Sequence, residues 1–176
     1  MPVFSLLPGL PAWRGRLAVR LLGLALLLLV APPAPTPAAS GKIPELDHPI
    51  VTPHLYTKHK RCLNCGMKLN MWARTRHSFT LTTGEYQVCS IHCVAEISLQ
   101  NKEVPKNVMV ALYLEPETML PAEEASYVVG STARGTMTAV SKIAFASPQA
   151  AQSFAAEYGG AVMSFAEALA KARAEL

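Results

Sequence analysis

Two short runs of the chain alternate apolar and polar residues with the period of a half-buried strand. Phe79 and Leu81 share a face of the first, Tyr86 and Val88 a face of the second, and Thr83-Gly84-Glu85 between them has turn composition. A β-hairpin is predicted. From Cys89 to Gln100 the period changes: Ile91, Val94, Ala95 and Ser98 fall on one helical face, with Ser90 placed as N-cap. Residues 108–114 then form a continuous apolar run of strand length. The acids and prolines of residues 115–124 read as a boundary between modules.

The pattern then repeats. Residues 125–129 predict a short strand, 130–135 a loop, and 141–145 a strand with Ile143 and Phe145 on one face. Ser147-Pro148 supplies an N-cap and an N1 proline for a helix over 149–158, and Gly159-Gly160 stops it. Residues 161–163 predict a last strand. Ser164 and Glu167 have capping-box spacing and open a helix reaching about residue 176. The expected fold is α+β: two small related ββαβ modules, a cysteine-rich one over 61–115 and a second over 122–176 that ends in a helix. Each module places a methionine just after a glycine-containing turn, Cys65-Gly66-Met67 in one and Gly135-Thr136-Met137 in the other.

The start of the chain belongs to neither module. Arg14, Arg16 and Arg20 precede the apolar run 21–30, and small residues lead to Ala39-Ser40. Residues 1–40 therefore read as a signal peptide or, if retained, an N-terminal membrane anchor, and the protein is expected in the periplasm or another extracytoplasmic space. No cysteine near the cleavage region offers a lipid anchor, and no twin arginine is present, so export unfolded and metal loading afterwards are expected. Residues 41–60, with three prolines and no periodicity, form an extended lead-in. The leader also changes the meaning of the charge. The formal net charge is +4, but after residue 40 there remain 13 basic and 12 acidic residues, a balance of +1. A phosphate-tracking surface has little support, and no nucleic-acid partner is expected. At 176 residues the chain is too short for a large enzyme.

The chemistry rests on sulfur. Cys62 and Cys65 form a C-x2-C pair, and Cys89 and Cys93 a C-x3-C pair at a predicted helix start. Lys60, Arg61 and Lys68 flank the first pair, and a helix N-terminus favours thiolates at the second. Three readings fit: a tetrathiolate zinc site, thiol redox chemistry or short structural disulfides, and reversible binding of a soft cation, Cu(I) above all. Met67 and Met137 favour the third, because thioethers select Cu(I) and do little for zinc. His92, between the second pair, is an additional candidate ligand, and His77 a weaker one.

These motifs resemble the NosL family of copper-binding accessory proteins for nitrous oxide reductase. The resemblance runs from Cys62 to about Leu169, on Cys65-Gly66-Met67 and on the stretch from Tyr127-Val-Val-Gly130 through the Gly-x-Met turn, strand, helix, Gly-Gly and closing helix. It implies two ββαβ modules, no catalytic activity, and Cu(I) held by Cys65 and Met137 for delivery to nitrous oxide reductase or its assembly machinery. The first module also looks like TRASH-type metal-binding domains, which pair Cys-Gly-Met and a hairpin with a Cys-Ser-x-x-Cys helix start. This chain departs from many NosL proteins in lacking a lipoprotein cysteine, in carrying Cys62, Cys89 and Cys93 besides Cys65, and in reading Gly-Thr-Met-Thr at the second turn. The expected division of labour is that Cys62, Cys65, Cys89 and Cys93 order the first module around a metal, Cu(I) or zinc. Cys65 or Met67, together with Met137, makes the exchangeable site.

Overall fold

The computed structural model describes residues 57–176; the predicted signal segment and most of the lead-in lie outside the described residues. Strands β1 (His77–Leu81) and β2 (Gly84–Val88) form the predicted hairpin, with Phe79 opposite Tyr86 and their rings stacked at 5.2 Å. Helix α1 (Ile91–Asn101) carries the chain over to β3 (Lys106–Ala111), which pairs antiparallel with β1. In the second half β5 (Ser126–Val129) and β6 (Lys142–Phe145) pair antiparallel, α2 (Pro148–Tyr158) crosses over, and β7 (Ala161–Met163) pairs with β5. In both halves the first strand is central, flanked by its hairpin partner and by the strand that follows the helix. This shared order is the α+β repeat expected from the sequence, and α3 (Phe165–Ala174) closes the chain.

Local signals account for most element ends. The Ser147 side chain accepts the Ala150 N–H, with Pro148 at the first helical position, and Ser164 and Glu167 cap α3 reciprocally. Ser90 occupies the N-cap of α1 with extended backbone, but its side chain makes no cap hydrogen bond. Cys89 therefore precedes the helix rather than opening it.

The segment 115–124 differs from its reading as a boundary. It contains β4 (Met119–Pro121), which pairs with β3 at the edge of the first sheet, where the missing N–H of Pro121 is tolerated. The apolar run 108–114 also divides. Beyond Ala111 it leaves the first sheet: Leu112 bridges Ala144, and the Tyr113 N–H donates to the Ala144 carbonyl at 2.9 Å.

One core serves residues of both halves. Cys62, Phe79, Val94, Tyr127, Phe165 and Leu169 belong to it, and α3 lies against α1. Burying side chains such as Phe165 and Leu169 contributes about 1.5–3 kcal/mol each. A smaller core under α2 gathers Tyr113, Val128, Ile143, Phe145, Phe154 and Tyr158.

Candidate metal centre

The first cysteine pair sits on a tight knuckle. The Cys62 N–H donates to the Met67 carbonyl at 2.8 Å and the Gly66 N–H to the Cys62 carbonyl at 3.0 Å, while Arg61 and Lys68 bridge across its base. Gly66 has φ +77°, a conformation that costs glycine little and a side-chain-bearing residue more. The Leu63 N–H donates to the Gln87 carbonyl, which ties the knuckle to β2. Cys89 follows β2 directly and Cys93 lies in the first turn of α1, so the hairpin and the helix start deliver the second pair to the first.

The four sulfurs all lie within 4.8 Å of one another, with Cys65 Sγ 3.4 Å and Cys93 Sγ 3.8 Å from Cys89 Sγ. A tetrahedral ion with metal–sulfur bonds of about 2.3 Å needs sulfurs about 3.8 Å apart, so the cluster has the size to hold one ion. All four cysteines are free thiols; Cys62, Cys89 and Cys93 are buried, and Cys65 is half-buried.

Their acidities diverge because they act on one another. Hydrogen bonds from the Cys89 and Cys93 thiols, with smaller help from backbone N–H groups including that of Cys65, pull the Cys62 thiol well down against the effect of burial. Cys89 and Cys93 move the other way: donating to Cys62 and being buried holds their protons, and Cys93 is pushed up to about 12. The cluster thus favours a thiolate at Cys62 over one at Cys89 or Cys93. A cation entering the cluster displaces those protons.

The remaining predicted ligands divide. Met67 is half-buried and packs against the core beside the cysteines. Met137 is 39% exposed, at φ +68°, on the loop between β5 and β6. That loop is joined to the cysteine module through Thr75, whose hydroxyl donates to the Cys89 carbonyl at 2.7 Å and lies 2.9 Å from the Thr136 hydroxyl. His92 is not among the clustered ligands: its Nε2 lies 3.7 Å from Glu96 Oε2, and its buried Nδ1 has no hydrogen-bond partner. His77 is likewise no ligand. It is buried, with Nδ1 donating to the Thr75 carbonyl and Nε2 facing the Tyr127 hydroxyl at 3.1 Å.

Two participants escaped the sequence reading. Asn64 donates to Glu96 at 2.6 Å, linking the knuckle to α1; its place inside C-x2-C was the available signal. Thr75 carries no motif, and no sequence signal marks it.

Two ββαβ repeats with a four-sulfur cluster built on the first define a small α+β protein able to hold a thiophilic metal. The NosL family model matches residues 53–172, more than half of the chain, and the chain belongs to the NosL family. Among solved structures, the copper chaperone NosL from Shewanella denitrificans superposes with a TM-score of 0.53 at 23% identity, covering 64% of this chain and 91% of that one; the likeness is one of fold. No curated protein matches the sequence.

Proposed function

We propose that this protein is an exported, periplasmic, non-catalytic Cu(I) carrier that supplies copper during assembly of a copper enzyme, nitrous oxide reductase or its assembly machinery. Membership of the NosL family supports this reading, as does a structural neighbour that is itself a copper chaperone. The observation that carries it is the cluster of four free thiols within 4.8 Å, buried at three positions and half-exposed at Cys65. Thiolates are the ligands that select Cu(I). A carrier also needs an edge at which an incoming ligand can replace its own, and Cys65 provides it. Met67 packs against the core that holds the cysteines, and Met137 sits on an accessible loop tied to Cys89, which makes both thioethers candidates for that edge. Cys62, Cys89 and Cys93 form the fixed side of the site, and Cys65, Met67 and Met137 the exchangeable side.

A second reading, a structural zinc site, is favoured by the near-tetrahedral size of the same cluster. The deciding experiment is anaerobic metal analysis of the purified protein, followed by Cu(I) titration against a chromogenic chelator. Tight Cu(I) binding that weakens in Cys65→Ser and Met137→Ala is expected. Tight zinc with negligible Cu(I) affinity would overturn the carrier and leave the structural site. Turnover of a model disulfide substrate would instead mark a thiol oxidoreductase.

A further inference from the structure

The loop that carries Met137 is wound more tightly than its exposure suggests. Met137 itself lies at φ +68°, a region that costs a side-chain-bearing residue energy, and a Cβ at Gly135 would collide with the Thr138 carbonyl oxygen. Such a loop persists only if its surroundings hold it. The holding group is Lys142, at the start of β6, whose side chain is 2% exposed. Its ammonium donates to Thr138 Oγ1 at 3.4 Å and to the Val140 carbonyl at 3.3 Å, while Thr138 Oγ1 donates to that same carbonyl at 2.7 Å. Glu175, one residue past α3, supplies the countercharge at 2.6 Å.

A buried ion pair is weak evidence of a stabilising role, because desolvation offsets much of the attraction. Here the lysine spends its other two contacts on the methionine loop, whose opposite side is joined to Cys89 through Thr136 and Thr75. We propose that Lys142 is a positioning residue for metal exchange: braced by Glu175, it holds residues 135–140 in the wound form that keeps Met137 beside the cysteine module. The inference rests on the reading of Met137 as a Cu(I) ligand. It adds a group, contributed jointly by β6 and the end of α3, that sets how well that ligand is presented.

The test compares wild type, Lys142→Met, Met137→Ala and the double variant for anaerobic Cu(I) affinity, with Cd(II) affinity as a control that reads the thiolates alone. Lys142→Met is expected to weaken Cu(I) about tenfold, the low end of the usual cost of losing an outer-sphere partner, and Met137→Ala, which removes the ligand itself, at least as much. The double variant is expected to bind no more weakly than Met137→Ala, with Cd(II) affinity unchanged throughout. The proposal is overturned if Lys142→Met leaves Cu(I) affinity intact while Met137→Ala lowers it, if the two losses add, or if Cd(II) binding falls in parallel. Indifference to Met137→Ala overturns the methionine ligand and this proposal with it. If Lys142→Met does not fold, Glu175→Gln, at a partly exposed position, takes its place in every arm.

Discussion

Thr75 and Thr136, 61 residues apart in sequence, meet hydroxyl to hydroxyl at 2.9 Å, and Thr75 donates its own proton to the Cys89 carbonyl. A hydroxyl has one proton to give, and that of Thr75 is directed at two acceptors, the nearer being the Cys89 carbonyl. Thr75→Val keeps the shape and strands the carbonyl. It is expected to destabilise the metal-free protein by about 1–3 kcal/mol in denaturant unfolding and to lower Cu(I) affinity. Thr75→Ser should retain both properties; a serine variant as impaired as valine would show that the methyl group, not the hydroxyl, matters.

Metal removal should be visible in stability as well as in spectra. A ligand at a thousand times its Kd stabilises by about 4 kcal/mol, so the Cd(II)-loaded protein is expected to melt well above the reduced, metal-free one. One Cd(II) per chain with a thiolate charge-transfer band of four-sulfur intensity is the predicted end point. Replacing buried Cys89 or Cys93 with serine should cost more affinity than replacing half-exposed Cys65, and the reverse order would contradict the fixed and exchangeable sides assigned here.

His77 predicts an acid dependence independent of metal. Burial, reinforced by the charge of Arg76 and opposed by the Thr75 carbonyl, lowers its pKa from 6.5 to about 4. The folded-state value lies below the unfolded one, so the unfolded chain takes up a proton that the folded chain refuses. The contribution is therefore fully present above pH 6.5 and is lost as pH falls toward 4, by about 3 kcal/mol in total. Urea unfolding of the metal-free protein at intervals between pH 7 and 4 should show this slope, and His77→Gln should flatten it.

Much of the fold was legible because its signals are local. The hairpin announced itself through Phe79, Leu81, Tyr86 and Val88 around Gly84, and α2 and α3 through Ser147-Pro148 and Ser164 with Glu167. The cysteine spacing likewise pointed to one cluster, and the structure brings the four sulfurs together. What stayed hidden depends on partners distant in sequence. Met119-Leu120-Pro121 has the composition of a linker and becomes a strand only because β3 offers an edge. Lys142 alternates with Ile143 as a solvent-facing residue would, yet all four residues of β6 are buried, since Glu175 returns from the far end of the chain. His92 shows the converse: a histidine between two clustered cysteines lies outside their cluster, with its Nε2 3.7 Å from Glu96.

Exposed to a small-molecule disulfide oxidant without metal, the protein should lose thiols first at Cys65 and Cys89, because the oxidant reaches the half-exposed Cys65 and Cys89 is the sulfur 3.4 Å from it, a geometric preference that works against the lower acidity of Cys89. Each Cys65–Cys89 bond formed releases two protons and delivers two electrons to the oxidant, reducing it to two thiols. Peptide mapping after alkylation should find that linkage ahead of Cys62–Cys65, and prior loading with Cd(II) should suppress it. A dominant Cys62–Cys65 bond would show that the knuckle, rather than the inter-element contact, is the reactive pair.

The packing of α3 against α1 ties the two halves together in folding. Phe165, Ala168, Leu169 and Ala172 share a core with Cys62, Cys89 and Cys93, so the packing around the cysteines is completed by a helix distant from them in sequence. Closing contacts at such sequence separation is slow compared with forming the hairpin. Deleting α3 would keep the cysteine spacing and remove part of the core that the cysteines share. The cysteine cluster is thereby coupled to the folding of the second half: without α3 the core shared by Cys62, Cys89 and Cys93 is incomplete.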